Sequence, residues 1–290
     1  MEIENPINVE SFLLKTQNIL EKDEVCGNLI YGLANTLLKN KYFYGNSEPF
    51  FSIIYAKNDI KIMGLMTPPH GINIYQNGSY DDNSMELFVD NIFEHFPIIP
   101  GIKGEINITE KFVQKWTNKT KNEVIFDKNL GLYKLEKVNI YQKPEGIFRI
   151  ATLYDKETIK EYFINLCKEI SDLVKDDEKI DKNIEENIVN GLYYLWENMK
   201  IVSMAKKVRP TKNGMAINSV YTPKEFRKNG YGTAVVSELS KNILNSGKSF
   251  CTLFTDLSNP ISNSIYQKIG YVWVCENISY KFIEKRTNCA

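Results

Sequence analysis

The chain has 290 residues, and its 36 Lys and Arg against 36 Asp and Glu leave a formal net charge of +0. No global field therefore draws it onto a nucleic acid or an anionic membrane, and a length near twice the usual ~150 residues per domain predicts two domains. Hydrophobic residues at 43% and aromatic ones at 12% suffice for a packed core, which excludes a disordered chain.

Helical spacing of apolar residues predicts helices near Val9 to Leu20 and Val25 to Leu38, with strands at Phe50 to Ala56 and Ile60 to Met66. The stretch Ile53 to Met63 echoes Tyr193 to Val202 with one gap, at an offset close to half the chain, which is what a duplicated unit produces. Gln142-Lys143-Pro144-Glu145-Gly146 is a polar, Pro/Gly-containing break of the type that separates packed units. Two domains, 1–143 and 144–290, are expected from it.

Beyond the break, Ile147 to Leu153 reads as a strand, and Asp155 as the N-cap of a helix carrying Ile159, Tyr162, Phe163, Leu166 and Ile170. A second helix follows the acidic Asp176-Asp177-Glu178 link, around Ile180, Ile184, Ile188 and Leu192. Strands at Leu192 to Glu197 and Lys200 to Lys206 flank a tight Asn198-Met199 turn, and another strand spans Met215 to Tyr221. A helix starting at Gly230 carries the stripe Tyr231, Val235, Leu239 and Ile243, with Gly247 at its C-terminal cap. Ser249 to Thr255 is a strand, Pro260 opens a helix through Gln267, and Tyr271 to Phe282 supplies the last strands. The C-terminal half is mixed α/β, with helices between strands.

No apolar run approaches the ~18 residues of a membrane span. The start, Met1-Glu2-Ile3-Glu4-Asn5, has acids where a secretory leader has a basic region, so a cytoplasmic location is expected. Cys26, Cys167, Cys251, Cys275 and Cys289 are odd in number and include no CxxC pair, which suggests neither a disulfide framework nor a zinc site. They read as reduced thiols, mostly core filler. His70 and His95 are the only histidines, and the Gly-x-Ser-x-Gly and His-Glu-x-x-His hydrolase patterns are missing.

Val220 to Thr233 reads as a strand end, a turn and a helix start with glycines at 230 and 232. Glycines there let a ligand approach the backbone, and the N–H groups of a first helical turn bind phosphate oxygens. An anion site is expected. The segment lacks the Lys-Ser/Thr of a Walker A loop, and Val235 stands where a dinucleotide fingerprint has its third Gly or Ala.

This segment resembles the acyl-CoA motif of the general N-acetyltransferase (GNAT) superfamily, Arg/Gln-x-x-Gly-x-Gly/Ala, through Arg227, Gly230 and Gly232. A second family pattern, Asn-x-x-Ala-x-x-x-Tyr-x-x-x-Gly-Phe/Tyr, is matched by Asn259, Tyr266, Gly270 and Tyr271, with Ser262 in place of Ala. The resemblance covers Phe148 to Phe282. It implies tandem GNAT-like folds of the α/β class, each with a mixed α+β sheet. The first half has no Arg-x-x-Gly-x-Gly and looks like a degenerate copy, so one acyl-CoA site is implied.

By this resemblance, backbone amides of Lys228, Asn229, Gly230, Tyr231, Gly232 and Thr233, in the loop opened by Arg227, hold the CoA pyrophosphate. The strand edge at Val220, Tyr221 and Thr222 pairs with the pantetheine amides, and Asn259 and Asn263 hydrogen-bond the same arm. Tyr266 is the general acid for the departing thiolate. Glu197 is the candidate base, with Asp256 second, and a backbone N–H near Val220 or Tyr221 stabilises the oxyanion. The acidic run Asp172 to Glu186 reads first as a solvated helix face; the resemblance places it beside the acceptor region, where a cationic acceptor is the other hypothesis. The implied activity is transfer of acetyl from acetyl-CoA to a primary amine by direct attack in a ternary complex, without a metal ion. The implied partners are acetyl-CoA and an amine, with no nucleic acid or membrane, in a monomer or homodimer. A non-enzymatic acyl-CoA-binding or regulatory protein is the alternative.

Overall fold

The computed structural model describes residues 1–170 and 177–284. Residues 172–176 of the acidic run, and Cys289, lie outside them. Two units separate by their contacts: among the described residues, 1–132, 256–258 and 274–284 form one, while 133–255 and 259–273 form the other. The sequence reading placed a single cut before Pro144; the contacts divide the chain at Leu132 and assign most of the last strand to the first unit.

The first unit opens with strand β1 (Glu2–Glu4) and helices α1 (Val9–Leu20) and α2 (Asn28–Lys39). Asn8 starts α1 through a reciprocal cap, its Oδ1 accepting from Ser11 N at 2.8 Å, which satisfies an otherwise orphaned amide. Strands β2 (Phe50–Ala56), β3 (Asp59–Met66) and β4 (Ile72–Gln76), helix α3 (Asp82–His95), strand β5 (Gly101–Glu105), helix α4 (Ile106–Thr120) and strand β6 (Glu123–Leu135) follow. The sheet order is β1-β2-β3-β4-β5-β12, where β12 (Val272–Ile283) arrives from the C-terminal end of the chain and pairs antiparallel with β5. Only β4 and β5 run parallel among these pairs.

Strand alternation explains why this sheet is covered on both faces. Ile53 and Met63 join Phe12 and Leu20 in one core, while their neighbours Ile54 and Ile62 join Phe88, Phe112 and Trp116 in another. Adjacent apolar residues in a strand thus serve opposite helical layers.

The second unit repeats that order. Strand β7 (Ile147–Ile150) and a short 3₁₀ turn precede helices α5 (Lys156–Glu169) and α6 (Asp177–Val189). Then come β8 (Tyr193–Asn198), β9 (Lys200–Val208), β10 (Gly214–Tyr221), α7 (Tyr231–Asn245), β11 (Phe250–Asp256) and α8 (Pro260–Ile269). The order β11-β10-β9-β8-β7 is antiparallel apart from β10 with β11. Leu195 and Met204 pack under α5 and α6 with Ile159 and Ile184, while Tyr194, Trp196 and Ala205 pack with Val235 and Leu239 of α7.

Several local expectations change. Asp155 does not cap α5 with its side chain; its carboxylate turns back to accept from Thr152 N at 2.8 Å and from Arg149. The β8–β9 turn closes on Met199 alone, in the left-handed region at φ 56°. Tyr271 to Phe282 holds one long strand instead of several. Among the described residues no helix is long and apolar enough to cross a membrane.

Candidate active site

The two parallel strands of the second unit come apart where the candidate site residues gather. β10 and β11 are in register from Gly214 opposite Phe250 to Ile217 opposite Leu253, and no further. On the other side, the pairing of β10 with β9 skips from Asn218 to Tyr221, a bulge with Ser219 at φ 48°. Ser219 and Val220 thus have no register partner on either side. A bulge of this type re-aims the backbone and leaves peptide groups for another partner.

The chain then passes Pro223 and a 3₁₀ turn over Lys224–Phe226 to Arg227. Arg227 Nε donates to Thr222 O at 2.9 Å, and its Nη2 reaches both oxygens of Glu169 at 2.8 and 2.7 Å. Asn229 Nδ2 donates to Phe226 O at 3.1 Å and to Arg227 O at 3.3 Å. The side chains of these two candidate residues therefore fold the loop. What the loop offers a ligand is backbone.

Lys228 at φ 68° and Gly230 at φ 80° turn the chain sharply into α7. Gly230 is its N-cap, no side chain caps the helix, and the first intrahelical bond runs from Ala234 N to Gly230 O at 2.9 Å. The N–H groups of Tyr231, Gly232 and Thr233 precede that bond, at the positive end of the helix dipole. Tyr231 OH accepts from Asn198 Nδ2 at 3.0 Å, tying the helix start to the β8–β9 hairpin. Thr222 Oγ1 lies 2.9 Å from Ser203 Oγ, which also donates to Tyr221 O at 3.1 Å.

Helix α8 places Tyr266. Asn259 caps it, accepting from Ser262 N at 3.1 Å, Pro260 fills the first turn, and Asn263 N–H donates to Asn259 O at 3.2 Å. Asn259 therefore has a structural duty whatever else it binds. Tyr266 is buried in the same core as Ala234 and Val235, with its ring centre 6.0 Å from that of Tyr271. Burial pushes its phenol up to about 12, so it keeps its proton at neutral pH.

Glu197, at the end of β8, is not a solitary carboxylate. Arg149 Nε donates to its Oε2, and the rest of the guanidinium forks onto Asp155 at 2.7 and 2.8 Å. The paired carboxylates hold the Arg149 charge more firmly than usual, and Arg149 in turn holds Asp155 below the ordinary carboxylate range. Asp256 accepts from Ser258 N and Oγ at 2.8 and 2.6 Å, an ordinary turn cap. Sequence reading missed Arg149, Ser203 and the Ser219 bulge. None has a signal in residue type or spacing, because each acquires its place from strand register.

Residues 198–278 match the family model described as FR47-like protein. An acetyltransferase of the GNAT family from Colwellia psychrerythraea superposes with a TM-score of 0.60 at 10% identity, covering 98% of this chain and 100% of that one. A Drosophila protein gives 0.70 at 10% identity, over 97% and 98% of the two chains. A tandem GNAT protein from the clavulanic acid biosynthesis pathway gives 0.59 at 7% identity, over 98% of each. No functionally curated protein matches the chain. With β10, the Gly230 turn and α8 all inside the FR47-like segment, and with these structures matching over nearly the whole length, the chain has the GNAT fold.

Proposed function

We propose that the second unit transfers acetyl from acetyl-CoA to a primary amine by direct attack in a ternary complex. The observation that carries this reading is the uncapped start of α7 behind Gly230, set after a strand whose bulged end has no register partner. Amides at a helix start suit a pyrophosphate, and the open edge at Val220 suits the amide-rich arm attached to it. The amine nitrogen attacks the thioester carbon, the carbonyl electrons move onto oxygen, and a backbone N–H near Val220 or Tyr221 stabilises that charge. Glu197, directly or through water, takes the proton that the attacking nitrogen loses. Collapse breaks the C–S bond, the thiolate takes the Tyr266 proton, and exchange through solvent returns a proton from Glu197 to the tyrosinate.

The helix start in the first unit that corresponds to α7 argues against a second such site there. Helix α3 is capped by Asp81, whose carboxylate accepts from Ser84 N at 2.7 Å. The negative side chain there takes the Ser84 amide and repels a phosphate from the helix start.

A second reading, an acyl-CoA-binding protein without turnover, is favoured by the ion pair of Glu197 with Arg149. The Arg149 guanidinium occupies Oε2 of that carboxylate, so this oxygen is already engaged when an amine would need an acceptor for its proton. Calorimetric titration with CoA, followed by thiol release from acetyl-CoA across a panel of primary amines, separates the readings. Binding with turnover supports transfer, binding without turnover on any amine supports the second reading, and no CoA binding overturns both.

A further inference from the structure

The first unit contains a cavity of about 450 Å³ whose wall includes Asp23, Cys26, Tyr75, Glu105, Cys275 and Asn277. It brings together two cysteines from opposite ends of the chain. Cys26 lies in the turn between α1 and α2, and Cys275 lies in β12; both are half-buried and free. The two thiols are neighbouring groups on that wall, and the Cys275 sulfur accepts from Asn277 Nδ2 at 3.5 Å. Asp23 fixes the turn, its Oδ1 accepting from Cys26 N at 3.3 Å and its Oδ2 from Tyr75 OH at 2.9 Å.

The two thiols are not equivalent. The neighbouring Cys26 thiol, aided by Asn277, favours the Cys275 thiolate and brings that thiol below its ordinary range, against the opposing effect of burial. Cys26, beside Cys275 and the Asp23 carboxylate, is pushed up. One sulfur is thus prepared as a nucleophile with the other beside it as its resolving partner. Cys251, in contrast, is buried in the other unit, and burial pushes its thiol up to about 12. Among the described residues, no group of three or more His, Cys, Asp or Glu side chains converges for a metal ion.

We propose that Cys26 and Cys275 form a redox-active dithiol that a peroxide converts to a disulfide, joining the α1–α2 turn to the C-terminal strand across this cavity wall. In the first step the Cys275 thiolate attacks a peroxide oxygen: an S–O bond forms, the O–O bond breaks, and sulfur is oxidised to a sulfenic acid while hydroxide leaves. In the second step the Cys26 sulfur attacks Cys275, the S–O bond breaks, and the Cys26 proton leaves with the hydroxyl as water. One hydrogen peroxide is reduced to two waters as two thiols become one disulfide.

The test is independent of any acyl transfer. The full-length chain is treated with hydrogen peroxide, denatured and alkylated, and its thiols are counted and mapped by mass spectrometry. Two of the five thiols should be lost, with one cross-linked peptide pair containing Cys26 and Cys275 that dithiothreitol restores. In Cys26→Ser the cross-link should vanish and Cys275 should be trapped by dimedone as a sulfenic acid. Five alkylatable thiols after treatment, a cross-link to any other cysteine, or an unchanged loss of two thiols in Cys26→Ser would overturn the proposal. Should Cys275→Ser fail to fold, the wild-type map and Cys26→Ser still decide.

Discussion

A Cβ added to Gly232 would stand 3.2 Å from Oγ1 of Thr222, a hydroxyl held 2.9 Å from Ser203 Oγ. The first turn of α7 therefore lies against the end of β10 with no room for a side chain unless the Thr222–Ser203 pair yields. Alanine favours a helix over glycine by ~1 kcal/mol, so Gly232→Ala should remain folded. Its methyl group occupies the surface a pyrophosphate would approach, and CoA affinity should fall about tenfold, or about 1.4 kcal/mol. Gly232→Glu adds charge repulsion and should cost at least about a hundredfold. Unchanged CoA affinity in the Glu variant, by calorimetry, would remove the phosphate assignment.

Tyr266→Phe deletes one hydroxyl and keeps the ring beside Tyr271. If the phenol protonates the leaving thiolate, kcat should drop about 10²-fold or more while CoA affinity stays within about twofold. Because burial pushes this phenol up to about 12, the wild-type rate should show no alkaline loss from its ionisation until pH approaches that value. An equal loss of turnover and CoA binding would assign the residue to the core alone.

The α7 stripe of Val235, Leu239 and Ile243 and the proline that opens α8 were legible because helix periodicity and first-turn chemistry are local. The Ser219 bulge was not, since it arises when β9 and β11 stop matching β10, and no single segment records that register. Asp155 illustrates the same limit. Its position before a helix made it a cap in sequence, but Arg149 lies within reach across the 3₁₀ turn and takes the carboxylate instead. The pairing of β12 with β5 was equally hidden, because alternation reveals a strand without naming its neighbour.

Lys206 of β9 lies with Nζ 5.2 Å from the centre of the Tyr193 ring, and burial, aided by Arg209, pushes its ammonium down to about 8. The unfolded chain holds that proton up to about 10.4, so it binds more protons than the folded one between these values. Stability should therefore rise as pH climbs from about 8 toward 10, where buried tyrosines with raised phenols begin to oppose the trend. Lys206→Met should unfold at higher urea than wild type at pH 7 and should lose most of this rise. Parallel pH slopes in the two proteins would show that another group causes it.

Arg149 connects the fold to the candidate base. It holds Asp155, only 7% exposed, at 2.7 Å and donates to Glu197 as well. Arg149→Met leaves the Asp155 carboxylate with Thr152 as its remaining partner and should cost about 2 kcal/mol at neutral pH, reduced from a fully buried pair because the guanidinium is partly exposed. Asp155 is held below the usual carboxylate range, so its contribution is present above that range and lost as pH falls through the depressed value. The stability gap between variant and wild type should accordingly narrow in acid. Glu197→Gln preserves an acceptor for Arg149 Nε but not a base. If Glu197 accepts the amine proton, turnover should fall about tenfold with amines that arrive protonated, and much less with weakly basic amines already neutral at the assay pH. Equal losses for both amine classes would return Glu197 to a purely structural ion pair.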